Sequence, residues 1–402
     1  MENTQGLGDN KSRILSIDIM RGLTLFLMLF VNDLYEPGVP KWMVHTQAAE
    51  DSMGLADWVF PGFLFMVGLS IPFAFLSRKK KGESDAKITI HILLRTISLL
   101  IIGVFMVNVS RLNPEISGIN RNVWVILMYL CVFLIWNGYT NNPKYKFLVK
   151  GLKLLGIAGL IVLALIFKSG TVENPGWMST SWWGILGLIG WGYLAASLTY
   201  LWSKGKVWII ALAWLGFSGL NILAQFNSLS FLSFLNPFVG VIINGNVPSI
   251  VLFGLLNGAL LLRYKSDFGY LLKIMIPLGI AVLFMGFFLR NWFIISKILG
   301  TPSWAMLCNG ISVLVFCALF YVMDVRGFTK WASIFKPAGQ NSLTTYLAPD
   351  ILYYLMWGLG LNILIYKQPD NAFIAVAGSV LWALAMIVFA SLLARISIRL
   401  KL

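Results

Sequence analysis

The residue best suited to proton transfer in this sequence is His45, one of two histidines. Imidazole is the side chain best matched to general acid–base catalysis near neutral pH. The carboxylate of Asp57 follows soon after and is a candidate to orient the imidazole, as in other base–orienter pairs. Asn32 and three further acidic residues lie around this histidine, namely Asp33, Glu50 and Asp51. This grouping predicts a general-base site, and the alternative is a loop histidine without a catalytic role.

Charged side chains inside apolar segments are costly in a bilayer and are therefore functional candidates. Asp18 and Arg21 are three positions apart, so they share one face of a helix and can pair. Two interpretations stay open for this pair, a structural ion pair and an arginine that faces an anionic ligand. The other ionisable residues of this kind are Asp57, Arg95, Lys273 and Asp350, of which Lys273 is close enough to the inner end of its span to reach the membrane surface. His91, in ITIHILLRT, fits a packing or interfacial position better.

Metal and nucleotide motifs are missing from the sequence. The two histidines and three cysteines lack the spacing of metal ligands, so no metal site is predicted. Neither GxxxxGK[ST] nor GxGxxG after a strand occurs, which disfavours ATP hydrolysis and Rossmann-type dinucleotide binding.

The elements that must position these residues are membrane spans. Hydrophobic residues make up 58% of the chain and charged residues 12%, with a mean hydropathy of +0.80, well outside the usual composition of soluble domains. Apolar runs long enough to cross a bilayer recur along the chain. They predict an all-α, polytopic bundle of about 10–12 transmembrane helices. The candidate spans are 14–33, 56–77, 88–108, 121–138, 149–167, 181–202, 206–224, 247–263, 268–288, 304–323, 341–361 and 373–395.

Basic residues concentrate in short loops on one side of these spans. The net charge of +15 is therefore a topology signal, and no nucleic-acid partner is predicted. The asymmetry places both termini in the cytoplasm, with residues 1–13 as a short cytoplasmic tail of one integral-membrane domain, 1–402. His45 then lies in an outer loop. A further outer segment, 225–246, is apolar but broken by Pro237, Gly240 and Gly245, which predicts a re-entrant or interfacial element.

Small residues recur at helical spacing in two of the spans. The recurring glycines are Gly184, Gly187, Gly190, Gly254 and Gly258. Such spacing lets helix backbones approach closely. We therefore expect tight helix packing at these positions.

Several segments together carry a family resemblance. The first part of the chain contains four elements in order: S-x-D-x-x-R-G, V-N, a loop histidine and A-D-x-V-F-P-x-F-x-F-x-x-G. The residues that match them are Ser16, Asp18, Arg21, Gly22, Val31, Asn32, His45, Ala56, Asp57, Val59, Phe60, Pro61, Phe63, Phe65 and Gly68. Later segments read SKILGTPSWAM and PAGQNSLTTYL, the second with Gly339, Asn341, Ser342 and Tyr346 in a G-x-N-S-x-x-x-Y pattern. The chain thus resembles the transmembrane acyltransferases related to heparan-α-glucosaminide N-acetyltransferase, with bacterial relatives.

This resemblance implies transfer of an acetyl or other acyl group from cytoplasmic acyl-CoA to an outward-facing amino sugar or cell-envelope glycan. His45 and Asn32 occupy the family's active-site positions, with Asp57 in support. The basic residues near the cytoplasmic side, with Arg21 and Arg95 among them, are expected to hold the phosphates of acetyl-CoA. The other cofactor-binding candidates are Asn341, Ser342 and Tyr346. The implied location is a bacterial inner membrane, and a homodimer is left open.

A second function class fits the same topology. A transporter or flippase of a sugar or peptidoglycan fragment also suits twelve spans with both ends inside. That class often has paired repeats and broken helices at matching positions, and neither is found in the sequence.

Overall fold

The protein is a bundle of long helices, described by a computed structural model over residues 14–140, 142–264, 267–361 and 364–402. The first half contains α1 (Leu15–Asp33), α2 (Leu55–Lys80), α3 (Asp85–Asn108), α4 (Pro114–Ser117), α5 (Arg121–Trp136), α6 (Lys146–Ile166), α7 (Gly184–Ser203) and α8 (Val207–Gln225). The second half contains α9 (Asn236–Asn244), α10 (Asn246–Arg263), α11 (Phe268–Leu289), α12 (Pro302–Phe320), α13 (Lys336–Gln340), α14 (Ser342–Gly358) and α15 (Ala372–Arg395). Two short antiparallel strands, β1 (Ser169–Gly170) and β2 (Pro175–Gly176), lie in one loop.

The predicted polytopic membrane fold is confirmed. Each of the twelve candidate spans coincides with one long helix. Within the described residues, ten helical segments are long and apolar enough to cross a membrane. Two helices are shorter, α5 with 16 residues and α14 with 17. The sixth span begins later than predicted, at Gly184, because Ser181, Trp183 and Gly184 have positive φ angles of 47°, 69° and 68°.

Successive long helices run in opposite directions, so the connecting segments collect at two ends of the bundle. One end, called here the His45 end, carries the loop between α1 and α2, the segment 290–301 and the segment 226–245. The other end carries the basic turn between α2 and α3 and the start of α14. Asn32 and Asp57 lie at the His45 end, whereas Arg21 lies about 16 Å away along α1, at 1.5 Å per residue.

Segment 225–246 is helical but interrupted. It contains a 3₁₀ turn, Ser230–Leu235, followed by α9, which has a kink at Val239 and ends at Gly245 with a φ angle of 72°. Its large side chains Phe231, Phe234 and Phe238 are exposed. Such a segment fits the predicted re-entrant or interfacial element, whose depth in the bilayer stays a prediction.

The centre of the bundle is the crossing of α2 and α10. A methyl group added at Gly68 would overlap the carbonyl oxygen of Val251, and one at Gly254 would overlap that of Phe65. Gly258 meets Leu69 in the same way. The predicted close packing at Gly254 and Gly258 is confirmed, because only glycine lets the two backbones approach so closely.

The helix α1 is held by residues from the last quarter of the chain. The carboxylate of Asp324 accepts hydrogen bonds from the backbone N–H groups of Leu15 and Ser16, at 2.9 and 3.0 Å. It therefore caps the first turn of α1 from a π-helical turn, Tyr321–Val325, that follows α12. Farther along α1, Gly22 lies against the carbonyl group of Phe335. Two contacts distant in sequence thus fix how α1 enters the bundle.

Candidate active site

His45 and Asp57 are in contact at one end of the bundle. Nδ1 of His45 lies 2.7 Å from Oδ1 of Asp57. Asp57 is fully buried at the third position of α2, and its Oδ2 accepts hydrogen bonds from the backbone N–H groups of Gly54 and Thr46, at 3.0 and 3.1 Å. The hydroxyl of Thr46 donates a third bond at 3.1 Å. The carboxylate therefore caps α2 and orients the imidazole at the same time.

The contact with a carboxylate determines which nitrogen of His45 is free. A carboxylate accepts hydrogen bonds, so the tautomer that satisfies both partners carries its proton on Nδ1. Nε2 then carries the lone pair of the ring. The side chain of His45 is 38% exposed, whereas that of Asp57 is inaccessible. The pair thus has the geometry of a histidine base with a buried orienting group.

Lys297 is the residue of this site that sequence reasoning missed. Its Nζ lies 3.1 Å from Nδ1 and 3.3 Å from Nε2 of His45. Burial lowers the pKa of Lys297, and the nearby charge of Asp57 opposes that shift. The motif SKILGTPS contains this lysine, but its contact with His45 spans 252 positions and could not be read from spacing.

The segment that carries Lys297 is fastened to the loop that carries His45. Arg290 Nε donates to Oδ2 of Asp51 at 2.8 Å, and the N–H of Ile295 donates to Oδ1 at 2.7 Å. The hydrogen bond from Ile295, together with Arg290, lowers the pKa of Asp51. The hydroxyl of Ser296 also donates to the carbonyl oxygen of Ala48 at 2.9 Å. These bonds hold His45 and Lys297 in one arrangement.

His45 and Lys297 line a cavity of about 770 Å³ between the helices at this end, whereas the side chain of Asp57 is buried. Asn32, predicted as an active-site residue, also lines this cavity, but among the described residues no hydrogen bond joins its side chain to His45 or Lys297. Indole rings and amides form much of the remaining polar wall, and the residues concerned are Trp182, Trp183, Trp304, Asn236, Asn244 and Asn246. Apart from His45, Lys297 is the one ionisable residue among those that line the cavity in the described chain.

The amide wall is held by a hydrogen-bonded group at the start of α10. Asn246 Nδ2 donates to the carbonyl oxygen of Gly300 at 2.8 Å and to Oδ1 of Asn221 at 3.2 Å. Asn221 Nδ2 in turn donates to Oδ1 of Asn244 at 3.2 Å. Because Gly300 follows Lys297 closely, this group also supports the lysine-bearing segment.

The residues predicted to bind the cofactor are divided between two places. Arg21 lies beside α13 and α2, where its guanidinium donates to Ser70 Oγ at 2.6 Å and to the carbonyl oxygen of Gly339 at 3.3 Å. Ser342 Oγ donates to that same carbonyl oxygen at 3.0 Å, which places Asn341 and Ser342 close to Arg21. The predicted ion pair of Arg21 with Asp18 is also present, at 3.9 Å.

The other two cofactor candidates lie apart from that contact. Tyr346 is one turn beyond Ser342 on α14. Arg95, on α3, packs instead against α7, with its guanidinium carbon 4.7 Å from the ring centroid of Tyr193. A shared role for Arg95 with Arg21 therefore stays a prediction.

Asp33, next to Asn32, is a buried group whose partners were not predicted. Its carboxylate accepts hydrogen bonds from the hydroxyl groups of Tyr353 and Tyr366, and Nζ of Lys367 lies 2.9 Å from Oδ1. These partners fix the end of α1 and hence the position of Asn32. Among the described residues no three His, Cys, Asp or Glu side chains gather as metal ligands, and the expected lack of a metal stays a prediction.

Comparisons with known proteins give a family and three partial relatives. The profile of the family described as a domain of unknown function, DUF5009, matches residues 13–213. A heparan-alpha-glucosaminide N-acetyltransferase from Mus musculus is 33% identical over 134 residues, which cover 31% of this chain and 20% of that enzyme. For the Homo sapiens enzyme of the same name the identity is 36% over 96 residues, covering 24% of this chain and 14% of the enzyme.

A third relative belongs to a different functional class. An amino-acid permease from Candida albicans is 29% identical over 86 residues, which cover 21% of this chain and 14% of the permease. The chain thus spans about a fifth or less of the length of these curated relatives.

Proposed function

The chain belongs to the DUF5009 family, and on that premise we propose that it is a transmembrane acetyltransferase. The observation that carries the proposal is the His45–Asp57 pair, whose imidazole lies beside Lys297 on the wall of a cavity at one end of a membrane bundle. The partial similarity to two heparan-alpha-glucosaminide N-acetyltransferases supports the same reaction class.

In the proposed reaction His45 is the general base. Its Nε2 takes the proton from an amine or hydroxyl of the acceptor as that group attacks the carbonyl carbon of the acetyl thioester. Asp57 keeps the imidazole in the required tautomer and stabilises the imidazolium that forms. The amide of Asn32 is a second polar group on the cavity wall, available to hold the acceptor.

The donor in this proposal is acetyl-CoA, and it approaches from the end of the bundle opposite to His45. Arg21, with Asn341 and Ser342 beside it, supplies a charged donor and polar groups there for a phosphate or amide of the cofactor. Met28, on the cavity wall, is two turns beyond Arg21 on the same helix, a distance of about 10 Å along the axis. An extended acyl carrier could therefore follow α1 to His45.

The acceptor is an amino sugar or a glycan of the cell envelope. Indole rings and amides, the groups that line the cavity at Trp182, Trp183, Asn244 and Asn246, suit the apolar faces and hydroxyl groups of a sugar. With the predicted cytoplasmic termini, this cavity faces away from the cytoplasm. In a bacterium the protein would then act at the outer face of the inner membrane.

A transporter of such a molecule is the second candidate. The permease similarity and the cavity between the helices favour it. The two functions differ in what happens to acetyl-CoA, because a transporter does not consume a thioester.

The test measures release of CoA from acetyl-CoA by the purified protein in nanodiscs, with a panel of amino sugars and muropeptide fragments. His45→Ala should reduce the rate by about 10²–10⁴-fold, the usual effect of losing a positioned base. His91→Ala is the matched control, because His91 lies near Glu83 at the opposite end, and its rate should stay within about threefold. Full activity of the His45→Ala protein would refute the assignment. Uptake of an acceptor into proteoliposomes that contain the same protein, without CoA release, would favour the transporter.

A further inference from the structure

Lys297 is placed to contact any atom that reacts at His45. Its Nζ lies within 3.3 Å of both ring nitrogens, on a loop held in place by Asp51 and Arg290. The ammonium has three N–H bonds, and with the His45 proton on Nδ1 only Nε2 of that ring can accept one of them, at 3.3 Å. The 3.1 Å approach of Nζ to Nδ1 is then a contact without a hydrogen bond. At least one N–H bond is therefore available to a group that enters the cavity.

The charges around the site balance before a reaction begins. Asp57 is one buried anion and Lys297 one cation, while His45 is neutral in the tautomer described above. When His45 accepts a proton, the group carries one extra positive charge. That excess matches the single negative charge that develops on the carbonyl oxygen during acyl transfer.

We infer that Lys297 is a catalytic residue whose ammonium group binds the oxyanion of the tetrahedral intermediate. The inference rests on the proposed acyl transfer and names the residue that stabilises its charge. Distance supports it, because an oxygen bonded to the attacked carbon lies a few ångströms from Nε2, within hydrogen-bond reach of an Nζ at 3.3 Å. Asn32 remains a residue that positions the acceptor.

Acyl transfer passes through one tetrahedral intermediate. The acceptor nitrogen or oxygen forms a bond to the thioester carbon, and the π pair of the C=O bond moves to oxygen, where the Lys297 ammonium donates a hydrogen bond. His45 Nε2 receives the proton of the attacking atom. The C=O bond then re-forms, the C–S bond breaks with its pair on sulfur, and the proton on His45 passes to the thiolate. Lys297 is an ammonium throughout, and the free thiol and neutral imidazole are restored.

A first experiment needs neither acetyl-CoA nor an acceptor. In a His91→Ala background His45 is the single histidine, and diethyl pyrocarbonate acylates a neutral imidazole. Nε2 attacks one carbonyl carbon, an oxyanion forms beside Nε2, ethyl carbonate leaves with the bonding pair, and the ring loses its Nδ1 proton to water. This oxyanion forms where Lys297 can reach it, so the rate of its formation measures how strongly the lysine stabilises it.

The rate of carbethoxyhistidine formation is followed by ultraviolet absorbance in three further variants. Lys297→Met should slow the reaction by about tenfold, because the charged donor is lost, and Lys297→Arg should restore most of the rate. Lys41→Met is the control, since Lys41 is exposed on the same loop as His45 and does not line the cavity, and it should leave the rate unchanged. A rate that is unchanged or faster in Lys297→Met would show that Lys297 only occupies the lone pair of Nε2, and would overturn the inference.

A second measurement applies the same variants to acetyl transfer. Lys297→Met should reduce kcat by about 10²–10³-fold, the usual effect of losing one oxyanion donor, while KM changes little. A higher KM with unchanged kcat would make Lys297 an acceptor-binding residue and contradict the inference. A further outcome is that the parent protein does not turn over acetyl-CoA although carbethoxylation depends on Lys297. That result would refute the proposed function and would still support the role of Lys297 in stabilising an oxyanion.

Discussion

At the scale of single residues, the site depends on Asp57 because it performs two tasks. It accepts the N–H of His45 and it caps α2. Asp57→Asn keeps an oxygen for the cap but removes the charge that selects the tautomer, so acetyl transfer should fall by about 10²–10⁴-fold with little loss of folded protein. Asp85→Asn is the control, since Asp85 occupies the first turn of α3 at the opposite end and is exposed. An Asp57→Asn protein with full activity would show that orientation of His45 does not limit the reaction.

Residue types alone predicted part of this site. The chemistry and spacing of His45 and Asp57 were enough to pair them, and the structure places the two side chains 2.7 Å apart. Asn32 was assigned to the site by the family resemblance, and its role stays a prediction. Lys297 was not predicted, because a lysine in a loop of a membrane protein first indicates topology, and its partner is distant in sequence. The partners of Asp33, Tyr353 and Tyr366, were missed for the same reason, since helical periodicity does not show which distant helix will lie alongside.

At the scale of helices, the crossing of α2 and α10 supports the active site, because α2 begins with the residues around Asp57. Gly254→Ala should destabilise the protein by about 1–3 kcal/mol, since the added methyl group must displace the backbone of α2 at Phe65. Gly216→Ala on α8 is the matched control, because nothing lies within 4 Å of its added carbon. Thermal unfolding in detergent measures both, and equal midpoints would show that the crossing can relax without cost.

Helices could be predicted well from the sequence because bilayer length and apolar composition constrain each span independently of its neighbours. Helix boundaries were harder to predict where the conformation of the adjoining loop determines the first residue of the helix. The start of α7 depends on the positive φ angles of Ser181 and Trp183, which neither residue type would suggest. Glycine spacing predicted that α10 packs closely but did not identify α2 as its partner.

For the whole molecule, the orientation in the membrane decides which face the cavity serves. The concentration of Lys and Arg predicts that Lys80 faces the cytoplasm and that Gln47, two residues from His45, faces outward. Single cysteines at these exposed positions, in a background without Cys131, Cys308 and Cys317, can be treated with an impermeant maleimide on intact cells. Labelling at position 47 alone is expected, with both positions labelled after permeabilisation. Labelling at position 80 alone would reverse the orientation and exclude an outward-facing acceptor.

The cap on α1 has a consequence for biosynthesis. The carboxylate of Asp324 is 309 positions from the N–H of Leu15 that it binds. At ribosomal rates of about 5–20 residues per second, roughly 15–60 s separate the synthesis of the two partners. During that interval the first turn of α1 must find its hydrogen bonds in water or lipid headgroups. Nascent chains that stop before residue 324 would thus expose an unfinished helix end, a feature by which membrane quality control could distinguish them from completed protein.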